Sequence, residues 1–367
     1  MYDGLQVYLT SKNVLDRVRL MPGLVEHTCK DTGEFFDTNE NDDLFIELHE
    51  GRKPGVTIRG SLHKLYTSGG NDTLFTISQV RKAVEDLAWR FCINLRERCL
   101  QRLEFGVNIP AKCPEAIIDA AVLYHGRPAS DRTLNKKHYY KQWKFQDYTI
   151  KLYRKRATLL RFEVHVNRMR ELDGGRVRSL DDLRRQDVFV KCLAHLLSCL
   201  DEFVFVPFKV ESLPLDLREM WAERRNDTYW QQLKPYQKTR EKQQVLQAIN
   251  DYDLIDWAKF LERNIMIQGA LMLGVSQHRL AAMFSRLGLH AETVAGPIGN
   301  CDRLTEKNQD VVSSDCPLNI CLNHSVANGG LKTIPEVVRV YSDVQLGGRG
   351  PPGTFNSSTN IRYLIEI

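Results

Sequence analysis

Three short stretches of this chain alternate polar and apolar residues with a period of two. Between Tyr148 and Lys155, the residues Lys151, Tyr153 and Lys155 fall on one side of the alternation and Ile150 and Leu152 on the other. Leu159 to Val166 sets Arg161, Glu163 and His165 against Leu160, Phe162, Val164 and Val166. Leu103, Phe105 and Val107 alternate likewise with Arg102, Glu104 and Gly106. Successive side chains of a strand point to opposite faces, and β-branched and aromatic residues favour strands. The three stretches therefore predict half-solvated antiparallel strands, each with one apolar and one polar face. A polar face holding a tyrosine, two glutamates and lysines is either a solvated surface or an active site.

The remaining pattern fills in around them. Leu5 to Leu9 and Val14 to Leu20 read as short strands, and Gly33 to Asp43 as an acidic, turn-rich exposed loop. Leu44 to His49 and Val56 to Tyr66 flank a Gly-Arg-Lys-Pro-Gly turn and predict a hairpin. Ser68-Gly-Gly-Asn-Asp72 breaks the chain with residues suited to positive φ. From Ser78 to about Leu95, Val80, Ala83, Leu87 and Phe91 recur at helical spacing, with Thr76 or Ser78 as N-cap. A strand over Leu100 to Ile109 follows, then a helix from Pro114 to about Tyr124 with Gly126 beyond it. Ser179-Leu-Asp-Asp182 resembles a capping box ahead of a helix over Val188 to Leu200, and Phe203 to Phe208 reads as a short strand. Arg224 to Gln244 is a linker or exposed helix, Asp253 to His290 is helical, and Asn360 to Ile367 ends the chain like a strand after a flexible Gly347–Ser358 stretch. This order predicts an α+β fold, an antiparallel sheet backed by helices over 1–175. A mainly helical region with an irregular tail follows over 176–367.

Composition changes little. With 43% apolar and 26% charged residues the chain is an ordinary globular protein, and a net charge of +5 does not by itself indicate nucleic acid. Locally, Lys136 to Arg161 is a basic strip with Asp147 as its one acid. Nine cysteines, odd in number and without a Cys-x-x-Cys pair, argue against a disulfide framework or a zinc site. The start lacks a secretion signal and no apolar run is long enough for a membrane span, so the expected location is cytoplasmic, with no membrane partner.

The polar face suggests a chemistry. A phenol titrates near ~10 and becomes a nucleophile when cations stabilise its phenolate, as Lys151 and Lys155 could. Attack of Tyr153 on a DNA phosphate would exchange one ester for another without ATP. A divalent metal would polarise that phosphate, and hard oxygen ligands suit Mg2+ or Mn2+, with Glu104 and Glu163 as candidates. The bland alternative is a strand aromatic beside solvated lysines. Trp143 and Phe145 among lysines could stack on unpaired bases or simply pack a hairpin.

Gly60-Ser-Leu-His-Lys64, Arg102-Leu-Glu104, Lys151-Leu-Tyr-Arg-Lys155, Leu160-Arg-Phe-Glu163 and Ser179-Leu-Asp-Asp-Leu183 together resemble the replication initiators of filamentous phages and related plasmids, and more distantly the rolling-circle Rep_trans initiators. The resemblance covers roughly residues 44–185. It implies a Rep/relaxase-like domain whose tyrosine nicks one strand of a replication origin, becomes linked to the 5′ phosphate and leaves a free 3′ hydroxyl. By position it implies Tyr153 as nucleophile, Lys155 as its motif partner, Glu104 and Glu163 as acids and His63 as a further metal ligand. Lys151, Arg161 and Arg102 would contact DNA. It also implies a bacterial host cell with its helicase and polymerase as partners; a homodimer stays open. Glu104 stands where phage relatives often have Asp, and the paired-histidine motif of other nickases is missing. Tyr148, in a Tyr-x-x-Lys spacing on the opposite face, is the second candidate nucleophile.

Ala270 to Leu280 has the spacing of a helix-turn-helix, which would present Gln277, His278 and Arg279 to a DNA groove. A helical hairpin that only fills core fits the same spacing. A non-catalytic DNA-binding regulator, or a relaxase or transposase with the same chemistry, is the competing reading of the whole chain.

Overall fold

The computed structural model describes residues 2–28, 35–41, 44–50, 53–135, 138–207 and 213–288. The tail beyond 288, including the stretches 347–358 and 360–367, lies outside the described residues. So does part of the 33–43 segment. Within them the chain is α+β, with a large antiparallel sheet backed by helices.

Ten strands form the sheet. In chain order they are β1 (Tyr2–Leu9), β2 (Val25–Thr28), β3 (Phe35–Asn41), β4 (Leu44–His49), β5 (Gly55–Ser61), β6 (Leu100–Pro110), then β8 (Asp131–Leu134), β9 (Tyr139–Lys144), β10 (Tyr148–Arg156) and β11 (Leu159–Val166). Their spatial order is β2-β3-β4-β5-β1-β6-β11-β10-β9-β8, and every pairing is antiparallel. A separate pair joins β7 (Ala121–Tyr124) to β12 (Phe203–Phe205). The three alternating stretches of the sequence are thus β6, β11 and β10, adjacent in the middle of the sheet.

The apolar face carries the core. Val7, Ile58, Leu103, Phe105, Ile150, Leu152, Phe162 and Val164 are fully or almost fully buried. They belong to the same core cluster as helices α1 (Lys12–Arg19), α3 (Ile77–Phe91), α6 (Gln186–Asp201), α10 (Trp257–Leu273) and α11 (Gln277–Arg286). Of the helices after residue 175, α6, α10 and α11 therefore pack on the core that the sheet begins, and all described residues fall in one compact unit, 1–297. A second, smaller core gathers Trp221 of α7 (Leu215–Arg224), Trp230 of α8 (Asp227–Gln232) and Val245 and Ile249 of α9 (Pro235–Asp251). No helix among the described residues is long and apolar enough to cross a membrane.

Four local predictions are corrected. Val14 to Leu20 is not a strand but part of α1, because Val14, Leu15 and Val18 sit on one helical face and bury together. The strand from Val56 stops at Ser61, whose hydroxyl accepts from the Lys64 amide and caps α2 (Leu62–Thr67). The helix α4 begins at Pro114 as read but ends at Ala120, where Ala121–Tyr124 peels off to pair with β12. Phe35–Asn41, read as loop, pairs with β4 despite its acids. Elsewhere the caps agree: Thr76 and Gln79 form a reciprocal capping box on α3, and Ser179 and Asp182 form one on α5 (Leu180–Leu183).

The basic strip divides between the two faces. Trp143 is buried as hairpin core, and Lys141 is buried with its ammonium donating to the carbonyls of Asp119 and Ala121 at the end of α4. Arg154 turns the same way, to Glu115. The alternate residues, among them Lys144, Lys151, Tyr153 and Arg161, face the polar side.

Candidate active site

Cross-strand register brings the polar residues together. Tyr153 lies opposite Arg161, Lys151 opposite Glu163, Glu163 opposite Gly106 and His165 opposite Glu104. Residues directly opposite in an antiparallel pair have their Cβ atoms about 4.5–5.5 Å apart, so these side chains meet by construction. Gly106 is required by that closeness. A Cβ there would stand 2.5 Å from the Phe162 carbonyl oxygen and 2.8 Å from Glu163 Cα, both backbone. Gly106→Ala is expected to destabilise the fold by about 1–3 kcal/mol, measured by denaturant unfolding; an unchanged midpoint would refute the crowding argument.

Arg161 organises the site. Its side chain is 4% exposed, and its guanidinium donates in three directions. Nε reaches Glu163 Oε2 at 2.7 Å, Nη2 reaches Asp3 Oδ2 at 2.7 Å, and Nη1 reaches the Asn71 carbonyl at 3.1 Å and Asn108 Oδ1 at 3.2 Å. The Tyr153 hydroxyl donates to the same Glu163 Oε2 at 3.1 Å. Lys151 Nζ lies 4.9 Å from the Tyr153 ring centroid and 5.5 Å from that of Tyr140, within cation–π range of both. Lys155 sits at a β-bulge, where the register shifts between Arg154 and Arg156. The bulge re-aims its ammonium to Asn71 Oδ1.

Glu163 is fully committed. Oε1 accepts from His165 Nε2 at 2.6 Å, while Oε2 serves Arg161 and Tyr153. His165 in turn places Nδ1 3.0 Å from Glu104 Oε1, so both ring nitrogens face carboxylates. Burial opposes ionisation of Glu163, but the His165 hydrogen bond and the Arg161 guanidinium outweigh it and hold the carboxyl down at about 2. Burial likewise opposes charge on His165, yet its bonds to Glu104 and Glu163 raise the imidazole to about 9. Burial and the adjacent Glu163 push the Tyr153 phenol well above its ordinary value. Tyrosine is therefore held protonated at neutral pH.

The sign of each shift fixes a pH dependence. His165, raised when folded, adds stability that is complete below its unfolded value near ~6.5 and is lost as pH rises through about 9. Glu163, lowered when folded, adds stability above its ordinary carboxylate range that is lost as pH falls through about 2. The stability advantage of wild type over His165→Gln is thus expected to be largest near ~pH 6 and to shrink by about pH 10. Denaturant midpoints at both pH values test this; an advantage that grows with pH would contradict it.

The other anticipated residues are spread out. Arg102 is exposed on the polar face opposite Gln6. His63 is buried, stacks on Phe75 at 4.5 Å and meets Thr73 Oγ1 through Nε2 at 3.1 Å. Burial pushes it down to about 4, so it is neutral at pH 7. Glu104, Glu163 and His63 are not gathered into one ligand set: no group of three or more His, Cys, Asp or Glu among the described residues is arranged to hold a metal ion. Tyr148 lies on the opposite face, stacked on Phe145 at 4.9 Å with its hydroxyl 3.2 Å from that of Tyr124. Gln277, His278 and Arg279 are exposed on the first turn of α11, after a left-handed Gly274 that ends α10. Asp3, Asn71 and Asn108 join the site without having been anticipated. Only the turn character of Asn71 and the strand character of Asn108 were visible in the sequence, and Asp3 preceded the first strand predicted there.

Comparison of the chain with protein-family models, curated proteins and solved structures finds no match.

Proposed function

We propose that this protein is a DNA strand transferase that nicks one strand through Tyr153, in the manner of a rolling-circle replication initiator. The observation that carries the reading is the Tyr153 hydroxyl hydrogen-bonded to buried Glu163 and flanked by Lys151 on the sheet's polar face. Tyr153 Oη would attack the phosphorus, forming the Oη–P bond as the P–O3′ bond breaks. The phenolic proton ends on the departing 3′ oxygen, and the 5′ phosphate stays on the enzyme. Glu163 is the first acceptor in line for that proton. Its low proton affinity means an arriving phosphate must reorganise the cluster before transfer is favourable. Lys151, beside the ring, is placed to stabilise the phenolate and the phosphate charge.

Magnesium or manganese, the cations that hard carboxylate ligands suit, fits this arrangement poorly, because Glu163 would have to release Arg161, Tyr153 or His165 to ligate one. No step above is routed through a metal. A separate role in finding DNA falls to α11, whose exposed Gln277, His278 and Arg279 suit groove contact.

The test incubates the full chain with supercoiled phage or plasmid DNA carrying a candidate origin, with either metal or neither. Nicked circles carrying protein on a 5′ end support the proposal. DNA that is bound but never cut would favour a non-catalytic regulator instead.

A further inference from the structure

Asn71 is 8% exposed, and its polar atoms are engaged by residues from four separate elements. Its carbonyl oxygen accepts from Arg161 Nη1 at 3.1 Å and from Asn108 Nδ2 at 3.2 Å. Its Oδ1 accepts from Lys155, and its Nδ2 donates to Asp3. Two neutral oxygens on one residue thus collect an ammonium, a guanidinium and an amide that converge from β6, β10 and β11. Those donors stand on the same face as Tyr153, the direct cross-strand neighbour of Arg161.

Resting on the strand-transfer reading above, we propose that Lys155, Arg161 and Asn108 form a phosphodiester-oxygen site which Asn71 fills with its own oxygens. The Ser68–Thr73 loop is then a displaceable strap over that site. Hydrogen bonds to an ionised acceptor are roughly twice as strong as those to a neutral one, so a phosphodiester outcompetes an amide for the same donors. Lys151, Lys155, Arg161 and His165 stand against Asp3, Glu104 and Glu163 here, four cations to three carboxylates, leaving one positive charge to meet the phosphate. The chain around Asn71 is suited to pivot. Ser68 is left-handed at φ 51, and a Cβ on Gly69 would meet only the Thr67 carbonyl oxygen, at 3.9 Å. A cavity of about 160 Å³ lies beside the loop, lined by Asp72, Thr73, Asn108 and Arg161 among others, and gives it room to move. Asp72 pairs with Arg156 at the rim and latches the strap shut.

The experiment follows hydrogen exchange of the wild-type protein with and without a saturating single-stranded oligothymidylate, at low salt. Displacement of the strap predicts faster exchange of the Ser68–Phe75 amides on binding, where a static site would slow them. The same oligonucleotide is expected to bind Asn71→Ala about three- to tenfold more tightly than wild type, because the variant loses the side-chain bonds to Lys155 and Asp3 that hold the strap down and keeps only the backbone carbonyl as competitor. Slower or unchanged exchange, affinity that is equal or weaker in the variant, or no binding to either protein overturns the strap. If Asn71→Ala does not fold, the wild-type exchange decides alone. None of these readouts depends on cutting, so loss of the nicking reading and loss of the strap are told apart.

Discussion

Tyr153→Phe is expected to abolish covalent attachment to nicked DNA, with cutting reduced on the order of 10⁴-fold or more, as removal of a nucleophile does elsewhere. The fold should survive. The substitution deletes one hydroxyl whose hydrogen bond to Glu163 is one of three, and Arg161 and His165 continue to satisfy the carboxylate. A net loss of about 0.5–1.5 kcal/mol is the scale for one such bond. The phenyl ring keeps its place beside Lys151. The assay is denaturing electrophoresis of protein bound to a 3′-labelled fragment, alongside unfolding of both proteins. Cutting that persists in Tyr153→Phe would remove Tyr153 from the mechanism. Tyr148 is a weaker substitute, because its hydroxyl is turned toward Tyr124 on the far face of the sheet.

Arg161→Leu is expected to cost the largest amount of stability, about 3–5 kcal/mol, the scale for breaking a buried ion pair by removing one partner. Two carboxylates depend on this guanidinium, Asp3 and Glu163, both 2.7 Å away with side chains 10% and 5% exposed. Without it each would remain charged beside the other with less compensation, or bind a proton. The Asn71 and Asn108 oxygens would also lose a donor. Arg161→Lys should recover only part of the loss, since one ammonium cannot reproduce a planar fork that serves four acceptors. Chemical denaturation decides the matter. If Arg161→Leu is as stable as wild type, the ion pairs are not holding this part of the sheet together.

Much of the site's layout was legible before any coordinates. Period-two alternation in three separate stretches put Lys151, Tyr153, Arg161, Glu163, His165 and Glu104 on one polar face, and the observed register agrees. The reason is local: side-chain direction in a strand follows from covalent geometry, so parity survives whatever the strand pairs with. Helix caps at Thr76 and Ser179 were legible on the same ground, because a cap is satisfied within its own first turn. Short elements were not. Val14 to Leu20 carries β-branched residues that suit a strand, and only the core offered by α3 and the sheet decides for a helix.

What only the tertiary structure decided is which partners each polar group finds. Asp3 reaches Arg161 across 158 residues of sequence, and Lys155 reaches Asn71 across 84. No propensity or spacing encodes such contacts, because loop closure and strand order bring them about. Those partners change the chemistry assigned to the residues. Glu163, anticipated as a metal ligand, is taken up by Arg161, Tyr153 and His165, and the basic strip gives Lys141 and Arg154 to α4 on the opposite face. The sequence alone determined which side chains share a face. The assembled sheet, by burying Arg161 among acceptors, determined which of them are charged and what each is free to bind.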